Sequence, residues 1–154
     1  MFLDRTDKAI LRILQQDCSM TNVELAERIA LSPPACLKRV HRLINEGVIS
    51  RQVALVDPGK LGRCLHILVE VIMERDRRDL YKAFMDSVQD VPEVKQCYQV
   101  TGEVDFVLII EVPDMESYEE LRDVIFYSHE NVKSFKTLIS LNRSKYVTDT
   151  IIRD

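Results

Sequence analysis

Long apolar runs are missing from this chain. The longest, residues 65–73 with Glu70 as its one charged side chain, falls well short of the roughly 20 residues that span a bilayer as a helix. The N-terminus is charged from Asp4 onward, so it lacks a secretory leader's apolar stretch, and a cytoplasmic protein is expected. C-x-x-C pairs are missing as well. Cys18, Cys36, Cys64 and Cys97 are scattered, as are His41, His66 and His129, and neither set has the spacing of a zinc site. In a reducing compartment such thiols read as buried small hydrophobes, with thiol sensing as the lesser alternative. There is no glycine loop to cradle a phosphate and no nucleophile motif. There is also no internal repeat beyond two similar αβ halves. These absences argue against an enzyme and against a cofactor.

What is present is a charge asymmetry. The 154 residues carry a net charge of −4, but residues 1–63 hold ten Lys+Arg against seven Asp+Glu, and residues 64–154 hold eleven against eighteen. The first part is basic and the second acidic, which suggests that one part meets an anion and the other does not.

The hydrophobic period changes along with the charge. In residues 1–50 it is helical. Ala9, Ile10, Ile13 and Leu14 follow Asp4 at helical spacing. Thr21 and Glu24 then form a capping box before Val23, Leu25, Ala26 and Ile29. A third helix has Ser32 as N-cap, Pro33 at its first position and Gly47 as its left-handed stop. Residues 51–63 read as a connector, with a strand candidate at 53–56 and turn chemistry at Asp57-Pro58-Gly59.

In residues 64–154 the period falls to two. Leu65, Ile67, Val69, Val71 and Met73 alternate with Cys64, His66, Leu68, Glu70 and Ile72. A helix follows with Leu80, Tyr81, Phe84 and Val88 inward. Two strands come next, around Thr101-Gly102-Glu103, then a helix over 115–127 with Met115, Tyr118, Leu121 and Ile125 inward, and a last strand. The fold class is α+β: a three-helix N-terminal domain and a β-α-β-β-α-β, ferredoxin-like C-terminal domain. Two helices cover one sheet face, and the other still carries apolar residues, which predicts a second copy packed face to face in a two-fold dimer.

Projected at 100° per residue, the third helix has Cys36, Leu37, Val40, Leu43 and Ile44 on one arc. Pro34, Lys38, His41, Arg42 and Asn45 lie opposite, with Arg39 on the flank. Its first turn, Ser32 through Ala35, is small or rigid, so the tip can approach base edges while amides and bases meet phosphate. The short turn from the preceding helix makes this pair a helix-turn-helix. Double-stranded DNA, read in the major groove at a two-fold site, is the expected partner. The DNA-contacting set comprises Thr21, Asn22, Ser32, Pro33, Pro34, Ala35, Lys38, Arg39, His41 and Arg42.

Taken in order, "LDRTDKAILRILQQD", "TNVELAERIALSPPACLKRVHRLINEGVI", "ALVDPGKLG", "TGEVDF" and "SKYVTDT" resemble the Lrp/AsnC, or feast/famine, regulators over nearly the whole chain. The resemblance implies a transcriptional regulator of amino-acid-related genes, associated with the nucleoid, with a C-terminal amino-acid-sensing (RAM) domain. It implies dimers that assemble further, to octamers, and a small amino-acid effector bound between dimers. Arg39 and Arg42 fall on the family's basic positions, and His41 stands where relatives carry a base or polar residue. The effector site maps to Thr101, Gly102, Glu103, Val104 and Asp105 with Leu138, Ile139 and Ser140. There the Gly102 amide would approach a carboxylate and Asp105 would receive an ammonium. Two alternatives are an architectural DNA-compacting protein without effector and an enzyme resembling the siroheme decarboxylases.

Overall fold

The computed structural model describes residues 2–62 and 64–153. They form two compact units: Met1–Leu55 together with Lys145–Asp154, and Val56–Ser144.

In the first unit, α1 (Arg5–Leu14), α2 (Asn22–Arg28) and α3 (Pro33–Asn45) pack around Ile10, Leu25, Ala26, Cys36 and Leu43. Asp4 and Asp7 form a reciprocal capping box on α1, and Thr21 and Glu24 do the same on α2. Each box satisfies amides that a helix start leaves without partners. Val23, Leu37 and Ile44, expected on apolar faces, are largely exposed, because three short helices bury only the centre of each stripe. The C-terminal segment lies along α1. Arg12 Nη2 donates to the Ile152 carbonyl at 2.9 Å, and Gln15 exchanges two hydrogen bonds with the Thr150 backbone, at 3.0 and 3.1 Å.

The strand candidate at 53–56 pairs with none of the described residues, and its Val53, Leu55 and Val56 are exposed. A strand needs a ladder partner, and none of the described strands takes this segment at its edge. A single 3-10 turn at Pro58–Lys60 follows.

In the second unit, β1 (Leu65–Met73), α4 (Arg78–Gln89), β2 (Val94–Gln99), β3 (Phe106–Val112), α5 (Met115–Arg122) and β4 (Val132–Ile139) give the expected β-α-β-β-α-β order. The antiparallel sheet runs β2-β3-β1-β4. Ile67, Val69, Val71, Phe106, Leu108, Ile110 and Val112 are buried under Tyr81, Phe84, Val88, Tyr118, Leu121, Ile125 and Phe126. The second helix departs from expectation after Arg122, where Asp123–Tyr127 widens into a π-helical turn. Met115, expected inward, is exposed. Among the described residues no helix of this unit covers the opposite sheet face, where Leu68 stands between its register partners Ile109 and Leu138. Leu68 and Ile109 are half-buried there and Leu138 is exposed.

Candidate DNA-reading surface and effector site

The turn that sets α3 on α2 is a Schellman motif. The Leu31 N–H bonds to the Ala26 carbonyl at 2.9 Å and the Ala30 N–H to that of Glu27 at 3.2 Å. Its left-handed position is filled by Ala30, at φ +53°. Gly47 fills the same position after α3, at φ +72°, with Val48 N–H on the Leu43 carbonyl. A second tether comes from Asn22, whose Nδ2 donates to the Pro33 carbonyl at 2.8 Å. Thr21 exchanges its bonds with Glu24. Thr21 and Asn22 therefore use these groups within the helical unit.

Ser32 occupies the N-cap position of α3, but its hydroxyl makes no cap bond. Pro33 and Pro34 have no N–H, and that of Cys36 goes to the Ser32 carbonyl at 3.0 Å. Ala35 is thus the first-turn residue with an amide to offer an anion. The cluster of amides expected at this tip shrinks to one, because the prolines that start the helix cleanly also remove its donors.

Along the exposed side of α3 run Pro34, Lys38, His41 and Asn45, lining a shallow groove with Leu37 and Arg42. Lys38 and His41 are exposed, and neither makes a hydrogen bond or ion pair with the described residues. Arg39 and Arg42 behave differently. Arg39 Nη1 donates to Asp4 Oδ2 at 2.7 Å and to Asp7 Oδ1 at 2.8 Å, and Arg42 Nη2 donates to Asp7 Oδ2 at 2.5 Å. Asp7 is buried. The Asp7 amide, and then the Arg39 guanidinium, lower the Asp4 carboxyl to about 2. Asp4, and then Asp7, raise Arg39 in turn. The basic flank seen in the sequence is therefore partly neutralised by α1. Asp4 and Asp7 were not among the expected site residues. The signal was the Asp-x-x-Asp spacing at the first helix start, which reads as a cap and gives no hint of its partners on α3.

In the second unit, the turn between β2 and β3 holds Thr101, Gly102, Glu103, Val104 and Asp105. Gly102 has φ +123°, and a Cβ there would touch nothing, so glycine is needed for conformation rather than for space. Asp105 Oδ2 accepts the Met73 N–H at 2.7 Å, and Oδ1 accepts the Tyr81 hydroxyl. That bond, followed by burial, pushes the Tyr81 phenol up to about 12. Both Asp105 oxygens are engaged within the chain, so an ammonium would meet only their remaining lone pairs.

Leu138 and Ile139 lie elsewhere. They pair with Leu68 and Ile67, and the Ser140 N–H bonds to the His66 carbonyl at 2.9 Å. Asp105 sits at the Met73 end of β1 and Ile139 near its start, some six strand residues or ~20 Å away. The register does not bring the two expected halves of the effector site together in one chain. Burial raises the thiols of Cys36 and Cys97 away from the thiolate. Among the described residues no group of His, Cys, Asp and Glu could hold a metal ion, and no helix is long and apolar enough to cross a membrane.

Residues 3–50 match the winged helix-turn-helix DNA-binding profile, and residues 66–149 match the Lrp/AsnC ligand binding domain. The chain belongs to the Lrp/AsnC family. It is 41% identical over 145 residues to an HTH-type transcriptional regulator of Sinorhizobium fredii, covering 94% of this chain and 86% of that one. It is 35% identical over 151 residues to the leucine-responsive regulatory protein of Escherichia coli, covering 98% and 92%. A Neisseria meningitidis transcriptional regulator solved in complex with L-methionine superposes with a TM-score of 0.88 at 34% identity, covering 97% of each chain. Lrp/AsnC proteins are transcriptional regulators rather than enzymes, which removes the siroheme-decarboxylase alternative. With a DNA-binding and a ligand-binding domain in one chain, this Lrp/AsnC protein is an effector-responsive transcriptional regulator.

Proposed function

We propose that this regulator binds double-stranded DNA as a two-fold dimer, laying α3 of each copy in the major groove, and that a small amino acid modulates that binding. Residues 1–50 would read DNA, 51–63 connect, and 64–154 sense the effector and assemble. The observation that carries the DNA reading is the exposed ridge Pro34–Lys38–His41, held by the Ala30 turn and free of partners among the described residues at Lys38 and His41. Ser32, Pro33 and Ala35 at the tip adjoin phosphates, Lys38 and His41 reach base edges, and Arg42 borders the ridge. Arg39, Thr21 and Asn22 support them.

The dimer forms through the open sheet face around Leu68, Ile109 and Leu138, whose exposure a monomer would leave uncompensated. Further assembly, to an octamer, brings the Thr101–Asp105 turn of one copy beside Leu138, Ile139 and Ser140 of another, and the amino acid binds there. L-Methionine, the ligand named for the Neisseria relative and for a Mycobacterium tuberculosis feast or famine regulatory protein, is the first candidate effector. Such a protein works in the cytoplasm on the nucleoid.

Selection from a random-sequence duplex library tests this. The reading expects a two-fold symmetric site with half-sites about one helical turn apart. Enrichment of no sequence would favour an architectural protein that compacts DNA.

A further inference from the structure

The α3 bases are not equally available to DNA. Arg39 and Arg42 face two carboxylates of α1, so the cluster Asp4–Asp7–Arg39–Arg42 carries no formal net charge. Lys38 is then the base of α3 whose charge no acid of this cluster offsets. Asp7 is the hub, since one of its oxygens takes Arg39 and the other takes Arg42, and its side chain is only 1% exposed. Its own orientation is fixed by the capping box, in which the Asp4 N–H donates to Asp7 Oδ2 at 3.2 Å. Arg42, by contrast, lies 43% exposed on the edge of the reading ridge.

We propose that Asp7 is a positioning residue that limits the sequence-independent DNA affinity of α3 by holding Arg39 and Arg42 back from phosphates. A guanidinium that swung freely would add affinity for any sequence alike, because phosphate contacts carry no base information. Held by Asp7, Arg42 presents a fixed edge, and discrimination falls to Lys38 and His41. Specificity is a difference of affinities, so a contact withheld equally from every sequence lowers the shared affinity and leaves the preference to Lys38 and His41. The proposal rests on the DNA-binding reading above.

The test measures binding to a mixed-sequence 30-bp duplex, and to the duplex selected by the wild-type protein, as salt is varied. The variants are Asp7→Asn, Arg42→Met and the two combined. In Asp7→Asn the log–log salt slope on mixed sequence should steepen by about one unit per guanidinium released, near 0.9 for each phosphate neutralised. Affinity for that duplex should rise several-fold, and affinity for the selected duplex should rise by a similar factor. In the Arg42→Met background the effect of Asp7→Asn should shrink, because it acts through Arg42. A wild-type slope and affinity in Asp7→Asn would overturn the proposal, since a purely structural role moves neither. Should Asp7→Asn fail to fold, Arg42→Met alone decides. An unchanged slope on mixed sequence supports a withheld guanidinium, and a slope shallower by about 0.9 overturns it. Wild-type protein that binds neither duplex would instead defeat the DNA-binding reading.

Discussion

The Tyr81 hydroxyl on α4 donates to Asp105, and the same carboxylate accepts the Met73 amide where β1 ends. One side chain thus fastens the β2–β3 turn to both a strand end and a helix. Tyr81→Phe leaves a half-buried carboxylate oxygen without that donor, and a stability loss of about 1–3 kcal/mol is expected by chemical denaturation. A value within error of wild type would mean that water replaces the phenol.

The turn between α2 and α3 stores backbone strain at Ala30, at φ +53°. A left-handed L-residue costs roughly 1–2 kcal/mol, part of which a glycine gives back through its freer unfolded chain. Ala30→Gly should therefore raise the stability of the helical unit by about 0.5–1 kcal/mol, and Gly47→Ala should lower it by a similar amount. Opposite signs in paired thermal melts are the check.

The acid limb of stability should carry the signature of Asp4. Its folded pKa, about 2, lies below the ordinary 3.8, so its contribution is complete above that ordinary value. The contribution is lost as pH falls through about 2. The stability gap between wild type and Asp4→Asn should stay constant above about pH 5 and close between pH 4 and 2. A gap that persists at pH 2 would contradict the assignment.

Arg39 and Lys38 are neighbours with opposite expected phenotypes. Arg39→Ala removes a partner from buried Asp7 and should cost roughly 1–3 kcal/mol of stability. Lys38→Ala should leave stability within about 0.5 kcal/mol of wild type and weaken binding to the selected duplex by about 1–3 kcal/mol. Equal effects of the two on folding would mean that the ion-pair cluster is not structural.

The open sheet face makes a separate prediction. Ile109→Lys places a charge beside Leu68, on a surface that no described helix of its unit covers. It should leave the monomer folded and shift sedimentation to the monomer, because burying an unpaired charge at an interface is costly. An unchanged oligomer would place the dimer contact elsewhere.

Much of this was legible in the sequence, because it depends on local chemistry. The β-α-β-β-α-β order follows from period-two runs such as 65–73 alternating with helical ones. The ends of α3 follow from Ser32, Pro33 and Gly47. Three features were not legible, and each is tertiary. Whether Arg39 and Arg42 are free depends on where α1 lands. The separation of Asp105 from Ile139 follows from antiparallel register. The π-helical turn carries adjacent Ile125 and Phe126, both buried, with Phe126 stacked on Phe135 at 4.6 Å between ring centroids, and local spacing does not announce the widened turn. Residues 53–56 looked like a strand because propensity is local, whereas pairing requires a partner.

The most direct test of the whole account is to titrate each of the twenty amino acids against the wild-type protein while recording its melting temperature and its affinity for the selected duplex. A true effector at 100 times its dissociation constant stabilises the folded state by about 2.7 kcal/mol. The account expects at least one amino acid, with methionine first among them, to raise the melting temperature and change DNA affinity in the same concentration range. Twenty flat melting curves with unchanged DNA affinity would contradict it.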